Sequence, residues 1–259
     1  MLLCLDVGNT HIFGGFFDDK QLILRFRYAT NLIGTADQFG LFLINILHAH
    51  QFSEKNINAV AISSVVPSCD FTINHAIALY FKAPVFFLRA GVKTGLNIQT
   101  KNPNEVGADL IAGAIAAVDL FPHKDIIIVD MGTATTLSAI NKNKDFLGVS
   151  ILPGIRLAME SLRNNTAKLM EVDIEKPESY LGRTTRECIQ TGLYYSQLGA
   201  LKEILNGIKK EVFENQMVTM IATGGFSQLY KDQKLFDTIS PDLVLHGLYR
   251  AYKFNEFTQ

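Results

Sequence analysis

Two stretches of the chain combine a carboxylate, a glycine and short hydroxyl or amide side chains. They are Asp6-Val7-Gly8-Asn9-Thr10 near the start and Asp130-Met131-Gly132-Thr133-Ala134-Thr135 near the midpoint. Each follows an apolar run, Leu3 to Leu5 and Ile126 to Val129. A strand that ends in Asp and turns through Gly brings backbone N–H groups close to an anion, because glycine has no Cβ to block the approach. Asn9 and Thr10 add side-chain donors to such a site. One copy alone reads more readily as a hairpin turn in which Gly-Asn supplies a positive φ. Two copies about half a chain apart favour an internal duplication built to hold the phosphates of a nucleotide.

Asp130 has a second job open to it. With Gly132, Thr133 and Thr135 it makes an oxygen-rich corner suited to a hard cation, or it caps the neighbouring turn. Between the two copies lies Asn102-Pro103-Asn104-Glu105-Val106-Gly107-Ala108-Asp109-Leu110. Asn102-Pro103 reads as a helix entry, which places Glu105 and Asp109 four apart on one face of its first turns. Carboxylates there favour the helix dipole in any protein. One aimed at a phosphate site can also accept the proton of an attacking hydroxyl. Ala222-Thr223-Gly224-Gly225 after an apolar run offers bare backbone on which a flat adenine can lie. Neither a GxxxxGK[ST] loop nor a GxGxxG fingerprint occurs, and the six histidines show no metal-binding spacing.

These residues need scaffolding, and the hydrophobic patterning supplies it twice. Strands are expected at His11 to Phe17 and Leu22 to Tyr28, a helix at Ala36 to His50, a strand at Ala59 to Ile62, a helix at Phe71 to Phe81 and a strand at Val85 to Leu88. The second half repeats the order: strands Ile126 to Val129, Thr135 to Ile140 and Phe146 to Ile151, helices Ile155 to Arg163 and Arg186 to Phe213, and the strand Met217 to Ala222. A strand Leu243 to Leu245 and a helix from Gly247 close the chain. Three strands followed by alternating helix and strand, written twice, predict an α/β fold of two duplicated lobes, each a mixed sheet flanked by helices, with an interlobe cleft for ligands. The boundary is expected within Asp119 to Lys124, where Pro122 stops a helix, giving lobes 1–120 and 121–259.

With 259 residues, 48% of them apolar, both lobes can carry a core. A net charge of −1 with scattered basic residues gives no nucleic-acid footprint and no polybasic membrane patch. Three cysteines without CxxC or His-paired spacing argue against disulfides or zinc, and all three are expected to be buried or semi-buried. Asp6 interrupts the first apolar run, so no signal peptide is expected, and the apolar stretch Leu110 to Val118 is shorter than the roughly 20 residues that span a bilayer. A cytoplasmic small-molecule protein is the expectation.

Taken together, the motifs resemble the type III pantothenate kinases, members of the actin, sugar kinase and acetate kinase superfamily with its ribonuclease H-like lobes. The resemblance rests on Asp6 to Thr10, Glu105 to Asp109, Asp130 to Thr136, Leu152-Pro153-Gly154-Ile155, Gly182-Arg183-Thr184-Thr185 and Thr223 to Gly225. It implies ATP-dependent phosphorylation of the primary hydroxyl of pantothenate, the first step of coenzyme A synthesis, with Mg²⁺ and a monovalent cation, K⁺ or NH₄⁺. It further implies Asp109 as proton acceptor and Asp6, Val7, Gly8, Asn9, Thr10, His11, Ile12 and Phe13 as the first phosphate loop. Thr133, Gly224 and Gly225 would be further ATP contacts, and Asp130 the cation ligand. Thr100, Gly107, Ala108, Asp109, Leu110 and Thr185 would line the pantothenate site of a homodimer. The family usually has Arg where this chain has Leu110, and Tyr where it has Thr100. Those two positions leave a second reading open, a diverged nucleotide-binding relative with an altered substrate or a regulatory role.

Overall fold

The computed structural model describes residues 1–256, which divide into two compact units. The first comprises Met1–Leu96, Thr100–Asp119 and the chain from Asp242 onward. Its sheet is built from β1 (Leu2–Val7), β2 (His11–Asp18), β3 (Gln21–Ala29), β4 (Ala59–Ser64) and β5 (Val85–Phe87), in the order β3-β2-β1-β4-β5. The first three strands form an antiparallel meander, and β4 and β5 add in parallel. Between β3 and β4 runs α1 (Ala36–Ala49), and between β4 and β5 runs α2 (Pro67–Tyr80). Thr35 starts α1 with a capping box: its Oγ1 accepts from the Gln38 N–H at 3.3 Å, and Gln38 Oε1 accepts from the Thr35 N–H at 2.8 Å. Pro67 starts α2 four residues before the expected Phe71, as suits a residue with no N–H to leave unsatisfied.

Side chains alternate across β1. Leu3, Leu5 and Val7 join Phe39, Leu43 and Leu47 of α1 and Ile73 and Ile77 of α2 in one buried cluster. Leu2, Cys4 and Asp6 therefore face the opposite side of the sheet. The helix α3 (Ala108–Leu120) is an almost unbroken run of small buried residues, among them Ala112, Gly113, Ala116 and Ala117.

The second unit comprises Asn97–Gln99 and Leu120–Pro241. Its sheet contains β6 (Asn97–Ile98), β7 (Ile126–Met131), β8 (Ala134–Ile140), β9 (Asp145–Pro153), β10 (Thr219–Thr223) and β11 (Thr238–Ile239), in the order β11-β10-β7-β8-β9-β6. Without β6 this is the order of the first sheet, again with an antiparallel meander followed by parallel additions. The helices α4 (Ile155–Asn165) and α5 (Thr185–Phe213) lie between β9 and β10.

Three expectations need correction. The apolar run Leu243 to Leu245 is not a strand: it opens the helix α6 (Leu243–Glu256), while the strand is the two-residue β11 before it. Second, α6 groups with the first unit instead of with 121–241, because it packs on β1, β2 and β4. Third, Cys188 is exposed at the head of α5, whereas Cys4 and Cys69 are buried as expected. No helix among the described residues is long and apolar enough to cross a membrane.

The α3–α6 contact is tight because both helices present small residues. A Cβ on Gly247 would overlap the carbonyl of Ala112 and lie 3.0 Å from its Cα. Neither backbone can yield as a flexible side chain would. Gly247→Ala is expected to cost about 1 to 3 kcal/mol, seen as a lower urea midpoint at unchanged m-value.

Candidate active site

Asp6 sits at the carboxyl end of the central strand of the first sheet, paired with Phe13 on β2 and Ser63 on β4. Ser63 is fully buried, and its hydroxyl donates to Asp6 Oδ1 at 2.5 Å. The chain then turns through Gly8 to His11, closed by the Gly8 N–H donating to the His11 carbonyl at 3.1 Å. This is the turn of the β1–β2 hairpin, but neither Gly8 nor Asn9 has a positive φ, so that need does not explain the glycine. Asn9, Thr10 and His11 are exposed, whereas Val7 and Ile12 are core residues that can offer only backbone. Phe13 is half-buried under the Arg27 guanidinium, 4.3 Å from its ring centre.

The same end of this unit carries Asp109. The Val65 N–H donates to the Val7 carbonyl at 3.0 Å, directly after Asp6, and a Cβ on Gly107 would lie 3.6 Å from Val65 Cγ1. Val65 thus bonds to the end of β1 and lies close to Gly107, just before α3. The expected helix from Asn102 is not continuous: Pro103–Glu105 is a single 3-10 turn, Val106 is extended, and α3 begins afresh at Ala108. Glu105 and Asp109 therefore do not share a helix face, and Glu105 instead accepts from Asn102 Nδ2 at 2.7 Å. The Gly107 carbonyl accepts the first helical bond, from Ile111 at 3.1 Å, which leaves Asp109 in the first turn. Asp109 Oδ1 accepts the Leu110 N–H at 2.8 Å. Burial raises the Asp109 carboxyl above the ordinary carboxylate range, and the hydrogen bonds from Leu110 and from its own N–H only partly offset that.

The second unit repeats the first arrangement. Asp130 lies one residue before the end of the central strand β7, paired with Thr136 on β8 and with Thr223 on β10, the counterparts of Phe13 and Ser63. Met131, Val129 and Ile127 enter the core with α5, so Asp130 faces the other way. Cross-strand partners share a face, and Thr135 pairs with Met131. Its hydroxyl is accordingly buried and accepts from Gln197 Nε2 on α5 at 2.8 Å. Thr135 therefore drops out of the oxygen-rich corner expected around Asp130. Thr133 is exposed on the turn, and a Cβ on Gly132 would meet only ordinary contacts at 3.6 Å. Chain packing alone does not demand glycine there.

Gly224 does need to be glycine. Its φ is +85°, and a Cβ would strike Asp130 Oδ1 and sit 2.6 Å from the backbone of Met131. Its carbonyl accepts from Ser227 Oγ at 2.8 Å. Gly225 beside it is exposed with nothing within 4 Å of a Cβ, an open stretch of bare backbone. Among the described residues no three His, Cys, Asp or Glu side chains form a metal-holding group.

The sequence model of the type III pantothenate kinase family matches residues 2–207. The chain belongs to the type III pantothenate kinase family. Curated members at high identity include the type III pantothenate kinase of Legionella pneumophila strain Paris, 49% identical over 98% of this chain and 99% of its own length. The type III pantothenate kinase 1 of Francisella tularensis is 45% identical over 99% of this chain and all of its own. Among solved structures, MreB 5 of Spiroplasma citri bound to AMPPNP matches at TM-score 0.51 and 11% identity, over 99% of this chain and 97% of that one. The activator of the 2-hydroxyisocaproyl-CoA dehydratase from Clostridium difficile matches at TM-score 0.52 and 12% identity, over 99% and 96%. These likenesses establish the actin-like fold of two related α/β sheets.

Within this pantothenate kinase the residues expected on the substrate side are split. Thr100, Gly107, Ala108, Asp109 and Leu110 lie in the first unit, and Thr185 in the second, exposed at the head of α5. The helix cap there is Thr184, whose hydroxyl accepts from the Glu187 N–H at 3.3 Å. Thr100 Oγ1 is buried with no hydrogen-bond partner. Leu110 stands where the family usually has Arg, yet its backbone N–H is what orients Asp109, so that bond does not depend on the side chain. Sequence reasoning missed Ser63 and Val65. The signal for Ser63 was present: two serines end the otherwise apolar Ala59-Val60-Ala61-Ile62.

Proposed function

We infer that the chain transfers the γ-phosphoryl group of ATP to the primary hydroxyl of pantothenate, with Asp109 as the general base. Membership of the type III pantothenate kinase family supports the reaction. The observation that carries the base is the position of Asp109: a half-buried carboxylate in the first turn of α3, beside the carboxyl end of β1 and raised in proton affinity by burial. A base whose pKa lies closer to neutrality takes a proton more readily while remaining ionised at working pH. As the pantothenate oxygen bonds to the γ-phosphorus and the bond to the ADP oxygen breaks, Asp109 takes the hydroxyl proton. The Leu110 N–H holds the receiving carboxylate in place.

The two Asp-x-Gly turns are assigned to ATP. Asn9 and Thr10 offer exposed donors on the first, Thr133 on the second, and the open backbone at Gly225 suits the flat face of adenine. Gly132, unconstrained by its own neighbours, leaves room for phosphate to approach the backbone. Mg²⁺ fits these residues as an ion carried on the nucleotide, since the cation usually keeps its waters and binds through one or two carboxylates and substrate phosphates. A monovalent cation is assigned to Asp130, a carboxylate at the carboxyl end of β7 beside the Gly224 backbone, where it would offset phosphate charge when bound. Thr100 Oγ1, buried without a partner, is assigned to the pantothenate side with Gly107, Ala108, Leu110 and Thr185, in a homodimer.

Asp109→Asn keeps the oxygen that accepts from Leu110 but cannot take a proton. Turnover is expected to fall by about 10² to 10⁴ with the KM for ATP nearly unchanged. The base must be ionised, so the wild-type kcat/KM profile should fall as pH drops through the Asp109 pKa, at a higher pH than an ordinary carboxylate near 3.9 would give. That acidic limb should vanish in the variant, and full turnover by it would remove the assignment. For the cation, replacing K⁺ by Na⁺ should depress turnover of the wild type and leave an Asp130→Ala enzyme indifferent to the exchange.

A further inference from the structure

Both phosphate turns are held from behind by one residue, the first after the third strand of each meander. In the first unit this is Thr30, which follows β3 and is 6% exposed. Its hydroxyl donates to the Gly8 carbonyl at 2.7 Å, and its N–H donates to the Thr10 carbonyl at 3.0 Å. In the second unit it is Gly154, which follows β9. Its N–H donates to the Thr133 carbonyl at 3.1 Å. A Cβ on Gly154 would collide with that same carbonyl and lie 2.5 Å from the carbonyl oxygen of Gly132. The counterparts agree despite unequal loops: Val7 and Ile12 flank the first turn, Met131 and Thr135 the shorter second one. In each, the residue after strand three holds the carbonyl just before strand two and faces the glycine carbonyl.

We propose that Thr30 and Gly154 are positioning residues that hold the glycine carbonyls of the two turns inward and so turn the amides of Asn9 and Thr133 outward, setting the first contact with ATP phosphates. A trans peptide points its C=O and N–H in opposite directions. Anchoring the Gly8 carbonyl on Thr30 therefore turns the Asn9 N–H to the other side of the turn, and seating the Gly132 carbonyl against Gly154 does the same for the Thr133 N–H. Without the anchor, each carbonyl could swing outward and present a negative dipole to the phosphates. The first copy uses a hydroxyl for this task, and the second uses the absence of a side chain. The inference rests on the assignment of these turns to ATP.

The test compares Thr30→Val, Thr30→Ser and Gly154→Ala enzymes by steady-state kinetics, with folding checked by circular dichroism at the assay temperature. Thr30→Val keeps the shape but removes the donor. It should raise the KM for ATP roughly tenfold, the size expected for one lost buried hydrogen bond, with the KM for pantothenate unchanged. Thr30→Ser restores the donor and should stay within about twofold of wild type, while Gly154→Ala should also weaken ATP selectively. Should Thr30→Val fail to fold, Thr30→Ala removes the same donor without a methyl against the carbonyl and takes its place. An unchanged ATP KM in the donor-less variant, an equal rise in both KM values, or a Thr30→Ser enzyme as impaired as Thr30→Val would overturn the proposal. Hydrogen exchange of residues 8–13 in the wild type, with and without ADP, separates the two layers. Protection by ADP together with a kinetically silent Thr30→Val rejects the clamp alone; no protection rejects the ATP assignment and the clamp with it.

Discussion

The architecture depends on a carboxylate held at the carboxyl end of the central strand of each sheet. A central strand is hydrogen-bonded on both sides, so its penultimate residue cannot drift, and the parallel neighbour sets a hydroxyl residue opposite it: Ser63 for Asp6, Thr223 for Asp130. Ligands of open α/β sheets collect outside the carboxyl ends of the strands, where backbone amides and helix N-termini are exposed. Alternation does the rest. The odd-numbered residues Leu3, Leu5 and Val7 enter the core, which commits Asp6 to the other face, and Met131 does the same for Asp130.

From that constraint the two units have diverged in ways that suit different tasks. The first builds a helix start next to its carboxylate through Val65 and Gly107, and so places a second acid, Asp109, where burial raises its proton affinity. The second presses Gly224 against Asp130 and opens bare backbone at Gly225. The proposed base therefore belongs to the first unit. The second unit offers the partly buried Asp130 with the exposed Gly225 backbone nearby, which the proposal assigns to the cation and the nucleotide.

Much of this was legible in the sequence because it is written in local patterns. The two Asp-x-Gly turns, the repeated order of strands and helices, and the strand-ending Gly224-Gly225 need only nearest-neighbour chemistry to be read. What was not legible depends on partners distant in the chain. Leu243 to Leu245 has strand composition, but it opens a helix that packs where Gly247 lies against Ala112, a partner far away in the chain. Thr135 looked like a ligand for Asp130 until strand pairing put it on the face of Met131, bonded to Gln197 sixty-two positions away. The Pro103 helix entry was read through to Asp109 because nothing local announces that Val106 turns extended. Thr30 carries no motif of its own, and only the return of β3 to the turn reveals it. Leu110 and Thr100, read as marks of divergence, stand in a chain 49% identical to a named pantothenate kinase, and the bond that orients Asp109 comes from the backbone of residue 110.

The most direct test of the account is to incubate the purified protein with Mg²⁺-ATP and K⁺, with and without pantothenate, following ADP release and identifying the product by mass spectrometry. The account predicts ADP release that requires pantothenate and matches phosphopantothenate mole for mole. Release of ADP at the same rate without pantothenate, or ATP binding with no phosphopantothenate formed, would contradict it.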